Sequence, residues 1–384
     1  MRRRVFSLLV FCCILPAQTK KVIADLPPGM LKELAVSAPN VRIVPARGAD
    51  LAKEIEDADA MVGVALTPEL LKRARQLKWL HISSAGVESH GSQTGLFPEL
   101  VDSSVVVTNA KNVYGPQIAD HAFAFLLALT RKLNVTIPRQ QLEEWPAGRN
   151  GMFELNGKTA VIIGVGGIGS QIAQRAHGFG MKVIGVDIRD IPVSNILQRV
   201  VPPDLLDSVL PEADVVFVAV PHTAKSAGMM GARQFELMKQ GSYFIAMSRG
   251  KIFDHQALVK ALDSRRLAGV GLDATDPEPL PKGHPLWKFP NVIITPHTSG
   301  GSDNLEARLT FLVKENIRRF GAGVTLLNVV DKPDLEARRV DHAFEAVGHE
   351  KIAVFINAAQ LVLAIEQSNW VSCSGAWPAT IARP

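Results

Sequence analysis

The six residues Gly164-Val165-Gly166-Gly167-Ile168-Gly169 constrain the fold of this chain more than any other part of the sequence. They follow a short apolar, β-branched run at Thr159–Ile163, and a helix-like segment at Ser170–Gly178 comes directly after them. A strand, a glycine-rich turn and a helix in this order are typical of the first βαβ unit of a doubly wound α/β sheet. The sequence therefore predicts a dinucleotide-binding turn. The alternative is a glycine turn in an α/β domain that binds no nucleotide.

Each glycine of this pattern has a distinct physical role. Gly164 permits the tight turn after the strand, Gly166 lets the backbone approach a pyrophosphate, and Gly169 lets the helix pack closely on the sheet. The first amides of the helix then face the phosphates. Asp187 ends the next apolar run, where an acidic side chain binds the ribose 2′-hydroxyl. This predicts NAD as the cofactor, while the neighbouring Arg189 keeps NADP as an alternative.

Short apolar runs alternate with helical patterns along most of the chain, which indicates parallel βαβ units. The first series of predicted strands comprises Lys21–Ala24, Val41–Val44, Ala60–Val64, Leu80–Ser83 and Val105–Thr108. The second series comprises Thr159–Ile163, Lys182–Val186, Asp214–Ala219, Ser242–Ala246, Val270–Asp273 and Val292–Thr295. A strongly apolar helix is predicted between the two series, over Ile118–Leu133. The pattern predicts an α/β protein with doubly wound parallel sheets.

Three polar residues, Arg249, Glu278 and His297, each come just after an apolar run of the second series. Ligands of open parallel sheets bind outside the carboxyl ends of the strands. A guanidinium can hold a carboxylate with two parallel hydrogen bonds. A histidine beside a carboxylate can donate a proton to a carbonyl oxygen as the carbonyl carbon gains a hydride. Each residue alone has an ordinary explanation: a surface arginine in a salt bridge, a solvated loop acid, and a loop histidine with satisfied hydrogen bonds. Together, after a dinucleotide turn, they predict the reduction of a 2-oxo acid.

Composition limits the class of protein. A chain of 384 residues is long enough for two or three domains, and 47% apolar with 21% charged residues is ordinary for a soluble globular protein. The net charge is +5, and no long basic block interleaved with aromatic residues is present, so nucleic-acid binding is not predicted. Residues 20–333 contain no cysteine, and the histidines show no metal-ligand spacing. The sequence therefore predicts neither a disulfide framework nor a metal site in the body of the protein.

The N-terminus has the pattern of an export signal. Met1-Arg2-Arg3-Arg4 is a basic start, Val5–Leu15 is an apolar run, and Pro16-Ala17-Gln18 offers a small residue for cleavage. Residues 1–19 therefore predict a signal peptide and a periplasmic or secreted protein. The alternative is a cytoplasmic protein whose first residues form an extended strand, and the cytoplasmic synthesis of NAD favours that alternative.

Apolar length argues against a membrane span at either end of the chain. The run in the predicted signal is shorter than the roughly 20 residues that cross a bilayer. Residues 334–384 form a tail of no assigned role, and its one apolar helical run, Ile352–Ile365, is also too short. No membrane span is predicted.

From about Lys21 to Pro333 the chain resembles the D-isomer-specific 2-hydroxyacid dehydrogenases. Besides the glycine pattern, the resemblance rests on motifs spread along the chain: Ser84-Ala85-Gly86-Val87, Asn112-Val113, Ala119-Asp120-His121, Phe235 to Gly241, Ser248-Arg249-Gly250, Gly271-Leu272-Asp273, Glu278-Pro279-Leu280-Pro281, Pro285-Leu286-Trp287 and Pro290 to His297. Such joint matching is highly specific. The chain departs from the family pattern at Ala246, which is usually asparagine, and at Asp120, which is usually glutamate, and neither position is catalytic.

The resemblance implies two Rossmann-like domains with doubly wound parallel sheets. An NAD-binding domain at residues 114–297 would be inserted in a flavodoxin-like substrate domain formed by residues 20–113 and 298–333. Members of this family are usually homodimers.

The resemblance also implies roles for individual residues. Arg249 would hold the substrate carboxylate, His297 would be the acid/base, and Glu278 would pair with His297. The backbone of Ala85, Gly86 and Val87 would help to bind the carboxylate. The NAD site would be lined by Gly164, Gly166, Gly167, Ile168, Gly169, Asp187, Val220, Pro221, Met247 and Asp273.

Three functional hypotheses follow. The first is an NAD-dependent 2-hydroxyacid dehydrogenase that reduces a 2-oxo acid such as glyoxylate or hydroxypyruvate. The second is a dinucleotide-sensing binding protein similar to corepressors of the same fold, which keep the three polar residues; export argues against it. The third is a dehydrogenase of a non-carbon acid such as phosphite.

Overall fold

The computed structural model describes residues 19–38, 40–87, 95–145 and 151–332. Residues 1–18 of the predicted signal peptide and the predicted tail at 334–384 lie outside the described residues.

The first part of the chain forms a sheet of five parallel strands. Strands β1 to β5 are Lys20–Ala24, Val41–Pro45, Ala60–Val62, Trp79–Ile82 and Val106–Asn109. Helices α1 to α4, which connect them, are Pro28–Ser37, Ala49–Glu54, Pro68–Arg73 and Pro98–Asp102. The strand order is β2-β1-β3-β4-β5, which is the flavodoxin-like doubly wound order. The fold expected for this part of the chain is confirmed.

The middle of the chain forms a sheet of seven parallel strands. Strands β6 to β12 are Thr159–Ile163, Lys182–Val186, Arg199–Val201, Val215–Val218, Ser242–Ala246, Leu267–Leu272 and Val292–Ile294. Their order is β12-β11-β10-β9-β6-β7-β8, which is the Rossmann order extended by one strand. The sequence predicted six of these strands and missed β8, which is short, partly exposed and at the edge of the sheet.

Seven further helices belong to the rest of the described chain. Helices α5 to α11 are Gly115–Thr130, Leu133–Gln140, Gly167–Gly178, Leu206–Val209, Ala232–Leu237, His255–Asp263 and Leu305–Ala322. Helix α5 packs so closely on β11 that a side chain at Gly271 would lie 2.7 Å from Cβ of Phe125. The single helix predicted over Ile118–Leu133 is instead the two helices α5 and α6. Lys132 between them has φ of 60°, in the left-handed region that interrupts a helix.

The last helix returns the chain to the first sheet. Val313, Ile317 and Phe320 of α11 are buried in one apolar cluster with Val22 of β1 and Trp79 of β4. The first sheet is therefore covered by segments from both ends of the described chain, and the second sheet lies between them in sequence. Within the described ranges, no helix is both long and apolar enough to cross a bilayer.

Candidate active site

The glycine turn has the shape that the sequence predicted. Gly164 follows β6 with φ of 90°, and a side chain there would lie 2.7 Å from Cγ1 of Val220, which follows β9. A side chain at Gly169 would overlap with the carbonyl oxygen of Gly164, so α7 packs directly on the turn. A side chain at Gly166 would meet nothing within 4 Å. The space in front of Gly166 is open, as the approach of a pyrophosphate requires.

The first turn of α7 presents unused hydrogen-bond donors. The backbone N–H groups of Gly166, Gly167 and Ile168 donate no hydrogen bond to any residue that the structure describes. A side chain at Gly167 would overlap with Asn112, which lies on the segment crossing between the two sheets. Free amides at the N-terminus of a helix bind phosphate, so this turn fits a dinucleotide.

Asp187 lies at the end of β7, beside the glycine turn. Its Oδ2 accepts a hydrogen bond from the Val165 amide (2.8 Å), and its Oδ1 accepts one from Nε of Arg189 (2.9 Å). Burial of Asp187 opposes its charged form, but the hydrogen bonds from Arg189 and Val165 outweigh burial and lower the pKa of the carboxyl group. Asp187 is therefore a carboxylate fixed at the rim of the turn, where a ribose hydroxyl would reach it.

Three further predicted cofactor residues, Val220, Pro221 and Met247, follow the ends of β9 and β10. Val220 contacts the glycine turn as described, and Pro221 comes next, with its carbonyl oxygen accepting a hydrogen bond from Ser226 (2.7 Å). Met247 is buried, and its amide donates to the carbonyl oxygen of Val218 (2.9 Å). These residues share the carboxyl edge of the sheet with the glycine turn.

Glu278 and His297 are brought together across two loops. Nδ1 of His297 lies 3.1 Å from Oε2 of Glu278, and Oε1 of Glu278 accepts a hydrogen bond from the Thr275 amide (3.1 Å). Partial burial of Glu278 opposes its charged form, but its hydrogen bond with His297, the Thr275 amide and the charge of Arg249 together lower the pKa of the carboxyl group. Glu278 is therefore an anion, and its contact with Nδ1 orients the imidazole.

Arg249 is held near Glu278 and His297 by the close packing of the next residue, Gly250. A side chain at Gly250 would overlap with the peptide between Thr275 and Asp276, so the segment after β10 packs directly on the segment that leads to Glu278. Nη1 of Arg249 donates to the carbonyl oxygen of Ser248 (3.0 Å), and the side chain is only partly buried. The structure thus places a guanidinium, a carboxylate and an imidazole on one sheet edge.

Asp273, which the sequence assigned to the NAD site, also anchors the loop that carries His297. Its carboxylate accepts hydrogen bonds from the Thr295 hydroxyl (2.5 Å), the Thr298 amide (2.9 Å), and the amide (3.1 Å) and hydroxyl of Ser299. Nε2 of His121 lies 3.0 Å from the same Thr295 hydroxyl. Sequence reasoning missed Thr295 and Ser299, and the run of hydroxyl residues on both sides of His297 was the available signal.

The loop at Ser84–Val87 has its hydrogen-bond donors turned outward. Its carbonyl oxygens are all bound by neighbouring groups: Ser84 by the Ala110 amide (3.0 Å), Ala85 by Nδ2 of Asn109 (2.6 Å), Gly86 by the Ser84 hydroxyl (2.6 Å), and Val87 by the Leu96 amide (3.0 Å). In a trans peptide the carbonyl and the following N–H point in opposite directions. The amides of Ala85, Gly86 and Val87 therefore point away from these partners, and none donates to a described residue. A run of backbone amides turned in one direction, with no acceptor among the described residues, is suited to binding an anion.

Among its described residues, the site shows no cluster that would hold a metal. No group of three histidine, cysteine, aspartate or glutamate side chains with metal-binding geometry occurs in the part of the chain that the structure describes.

Comparison with known proteins agrees with this geometry. A sequence profile for the D-isomer specific 2-hydroxyacid dehydrogenase, NAD binding domain, matches residues 123–299. A glyoxylate reductase from Korarchaeum cryptofilum (strain OPF8) is 32% identical over 296 residues, which cover 74% of this chain and 86% of that protein. A D-3-phosphoglycerate dehydrogenase from Methanocaldococcus jannaschii is 29% identical over 297 residues, which cover 76% of this chain and 55% of that protein.

A solved structure has the same fold over nearly its whole length. It is a D-isomer specific 2-hydroxyacid dehydrogenase family protein from Aeromonas salmonicida subsp. salmonicida A449, and it superposes with a TM-score of 0.68 at 28% identity. The superposition covers 82% of this chain and 99% of that structure. This chain therefore belongs to the D-isomer specific 2-hydroxyacid dehydrogenase family and is an NAD(P)-dependent oxidoreductase that acts on the CH–OH group of its donors.

Proposed function

We propose that this enzyme is a 2-oxo acid reductase acting on a small substrate of the glyoxylate or hydroxypyruvate type. The observation that carries the proposal is the pair formed by His297 and Glu278, on the same sheet edge as Arg249. The glyoxylate reductase relative supports the substrate class.

Each residue of the site has a task in this reaction. Arg249 and the free amides of the Ser84–Val87 loop bind the substrate carboxylate from two sides, because both present donors to an anion. NADH, when bound, supplies the hydride that adds to the carbonyl carbon. His297 donates its proton to the carbonyl oxygen, which gives the 2-hydroxy acid, and Glu278 stabilises the imidazolium before the transfer.

The cofactor and domain assignments belong to the same proposal. Asp187 favours NADH over NADPH, because a fixed carboxylate accepts a hydrogen bond from the ribose 2′-hydroxyl of NADH and repels the 2′-phosphate of NADPH. Residues 114–297 form the cofactor domain, and residues 20–113 with 298–333 form the substrate domain. The two sheets, which fall one in each of these units, support this division.

The test is a panel of 2-oxo acids, including glyoxylate and hydroxypyruvate, with NADH and with NADPH on the purified protein. We expect oxidation of NADH by at least one of them and loss of that activity in His297→Ala. Tight NADH binding without turnover of any 2-oxo acid would favour a corepressor-like binding protein. Reduction of NAD by phosphite would favour the non-carbon acid.

We further propose that the enzyme is a homodimer that associates through the surface around α6. Leu133, Val135, Ile137, Leu142 and Trp145 are exposed apolar side chains there, and Trp145 is 96% exposed. A concentration of exposed apolar side chains in one short segment favours a protein–protein interface there. Light scattering after gel filtration should find a dimer, and Leu142→Glu should weaken it. Phe311→Glu, which changes an equally exposed residue on α11, is the matched control and should leave the dimer intact.

We also propose export, on the basis of the basic and apolar pattern of residues 1–17. Mature protein from the native host should begin near Gln18. A purified native protein that still begins with Met1 would show that the segment is not removed.

A further inference from the structure

Tyr114 lies between the two sheets along the chain. It directly precedes α5, on the segment that crosses from the first sheet to the second. Its hydroxyl donates a hydrogen bond to the carbonyl oxygen of Ser83 (2.8 Å). Burial raises the pKa of Tyr114, so the hydroxyl keeps its proton and remains a donor.

The carbonyl that Tyr114 binds belongs to the residue immediately before the Ser84–Val87 loop. The hydrogen bonds already described fix the carbonyls of Ser84 and Ala85 from the end of β5 and the residue after it. The bond from Tyr114 fixes the peptide before them, and it comes from the residue directly before α5. Because α5 packs on the second sheet, this bond ties the carboxylate-binding loop to the cofactor domain.

The other side of Tyr114 faces the loop that carries His297. A side chain at Gly300, three residues after His297, would lie 3.4 Å from Cδ1 of Tyr114. One turn along α5, Nε2 of Gln117 donates to the Gly300 carbonyl oxygen (3.0 Å). Oε1 of Gln117 in turn accepts a hydrogen bond from Arg308 of α11 (2.7 Å). Tyr114 and the first turn of α5 together therefore contact both the carboxylate-binding loop and the histidine loop.

We propose that Tyr114 is a positioning residue, whose hydroxyl sets the carboxylate-binding amides of residues 85–87 at a fixed place relative to His297. The inference rests on the proposed 2-oxo acid reductase function. Tyr114 acts through the Ser83 carbonyl and through packing on Gly300. Its loss should displace the bound carboxylate and leave the nucleotide site, formed by the glycine turn and Asp187, unchanged.

Tyr114→Phe tests this, because it removes the hydroxyl and keeps the ring that packs on Gly300. A hydrogen bond of this kind contributes about 0.5–1.5 kcal/mol, so we expect KM for the 2-oxo acid to rise about 2- to 10-fold. The kcat and the Kd for NADH should stay near the wild-type values. The chain has two tyrosines, and the second, Tyr243, is buried in β10 away from both loops. Tyr243→Phe is therefore the matched control, and its KM should not change.

A binding measurement separates this inference from the function on which it rests. Oxamate has a carboxylate beside a carbonyl and is not reduced, so its Kd for the NADH complex reports binding of this pair of groups without turnover. It should weaken in Tyr114→Phe by the same factor as KM. If the wild type is active but Tyr114→Phe leaves KM and the oxamate Kd unchanged, the role of Tyr114 is overturned and the proposed function is not. The same holds if Tyr114→Phe weakens NADH binding by as large a factor as it weakens oxamate binding. A wild type that neither reduces a 2-oxo acid nor binds oxamate would overturn the proposed function, and the inference with it.

Discussion

Acidification should destabilise this protein through His81, a residue that the active site does not use. His81 lies on β4 and is fully buried, with Nδ1 2.9 Å from the Thr108 hydroxyl. That hydroxyl also accepts a hydrogen bond from Nε1 of Trp79 (2.8 Å). Nε2 of His81 is buried and has no hydrogen-bond partner among the residues that the structure describes. Burial lowers the pKa of His81 from 6.5 to about 4, because a charged imidazole would lose its hydration.

The sign and size of the effect follow from the two pKa values. Well above pH 6.5, His81 is neutral in both the folded and the unfolded state. In that range it contributes no pH dependence to the free energy of unfolding. As the pH falls from 6.5 towards 4, the unfolded state binds the proton first, and the free energy of unfolding decreases. The full difference is worth about 3 kcal/mol, of which about 2 kcal/mol is lost between about pH 7.5 and about pH 5. That is a large part of the roughly 5–15 kcal/mol by which domains are stable.

The assay is urea unfolding of the wild type and of His81→Leu at these two pH values, followed by circular dichroism. The variant should lose about 2 kcal/mol less than the wild type on acidification, although its stability at neutral pH is lower because Thr108 loses a partner. His177→Gln is the control, since His177 on α7 is exposed and its removal should preserve the wild-type pH dependence. Equal losses on acidification in the wild type and His81→Leu would refute the reasoning.

The remaining predictions concern the active site. Asp187→Ala should narrow the preference for NADH over NADPH, because Arg189 is released to bind a 2′-phosphate; a wild type with equal or better kcat/KM for NADPH would contradict the assignment. His297→Ala should lower kcat about 100- to 10,000-fold, and near wild-type turnover would disprove its role as proton donor. Arg249→Lys keeps the charge but loses the two-pronged grip, so kcat/KM for the oxo acid should fall while titration finds NADH binding nearly intact. Glu278→Gln should move the pH profile of reduction towards acid, since the imidazolium loses the carboxylate that stabilises it; an unmoved profile would argue against the pair.

The elements that the sequence predicted best are the buried strands. β6, β7 and β10 begin and end at the predicted residues, because strands covered on both faces are continuous apolar runs bounded by polar residues or glycine. β8 is three residues long and only partly buried, so its sequence carries little of that pattern. The break between α5 and α6 at Lys132 was also not predicted, because the sequence carries no clear signal for it. It depends on the left-handed conformation of Lys132, and lysine does not by itself favour that conformation.

In the candidate site, the residues proposed for chemistry were predicted from the sequence, whereas the residue proposed to position the substrate loop was not. The residues proposed for chemistry were found because arginine, glutamate and histidine occur together past the carboxyl ends of strands that follow a dinucleotide turn, where ligands of such sheets bind. Tyr114 was not found, because an aromatic residue beside an apolar helix is ordinary core in any sequence pattern. Its contact with Ser83 exists only once the crossing segment and the end of β4 are folded together. A residue that acts by hydrogen-bonding to the backbone of a loop has no characteristic sequence motif.

The return of α11 to the first sheet has a consequence for how the protein is made. During synthesis the five strands of that sheet emerge first, but Val313, Ile317 and Phe320, which cover one of its faces, emerge only after the whole second sheet. The second sheet is contiguous in sequence, so it can complete its core while the first still exposes apolar surface to solvent. Such exposed surface favours aggregation and chaperone binding. The second sheet should therefore complete its fold first, and the earlier-made sheet should close last, when its covering helix α11 arrives.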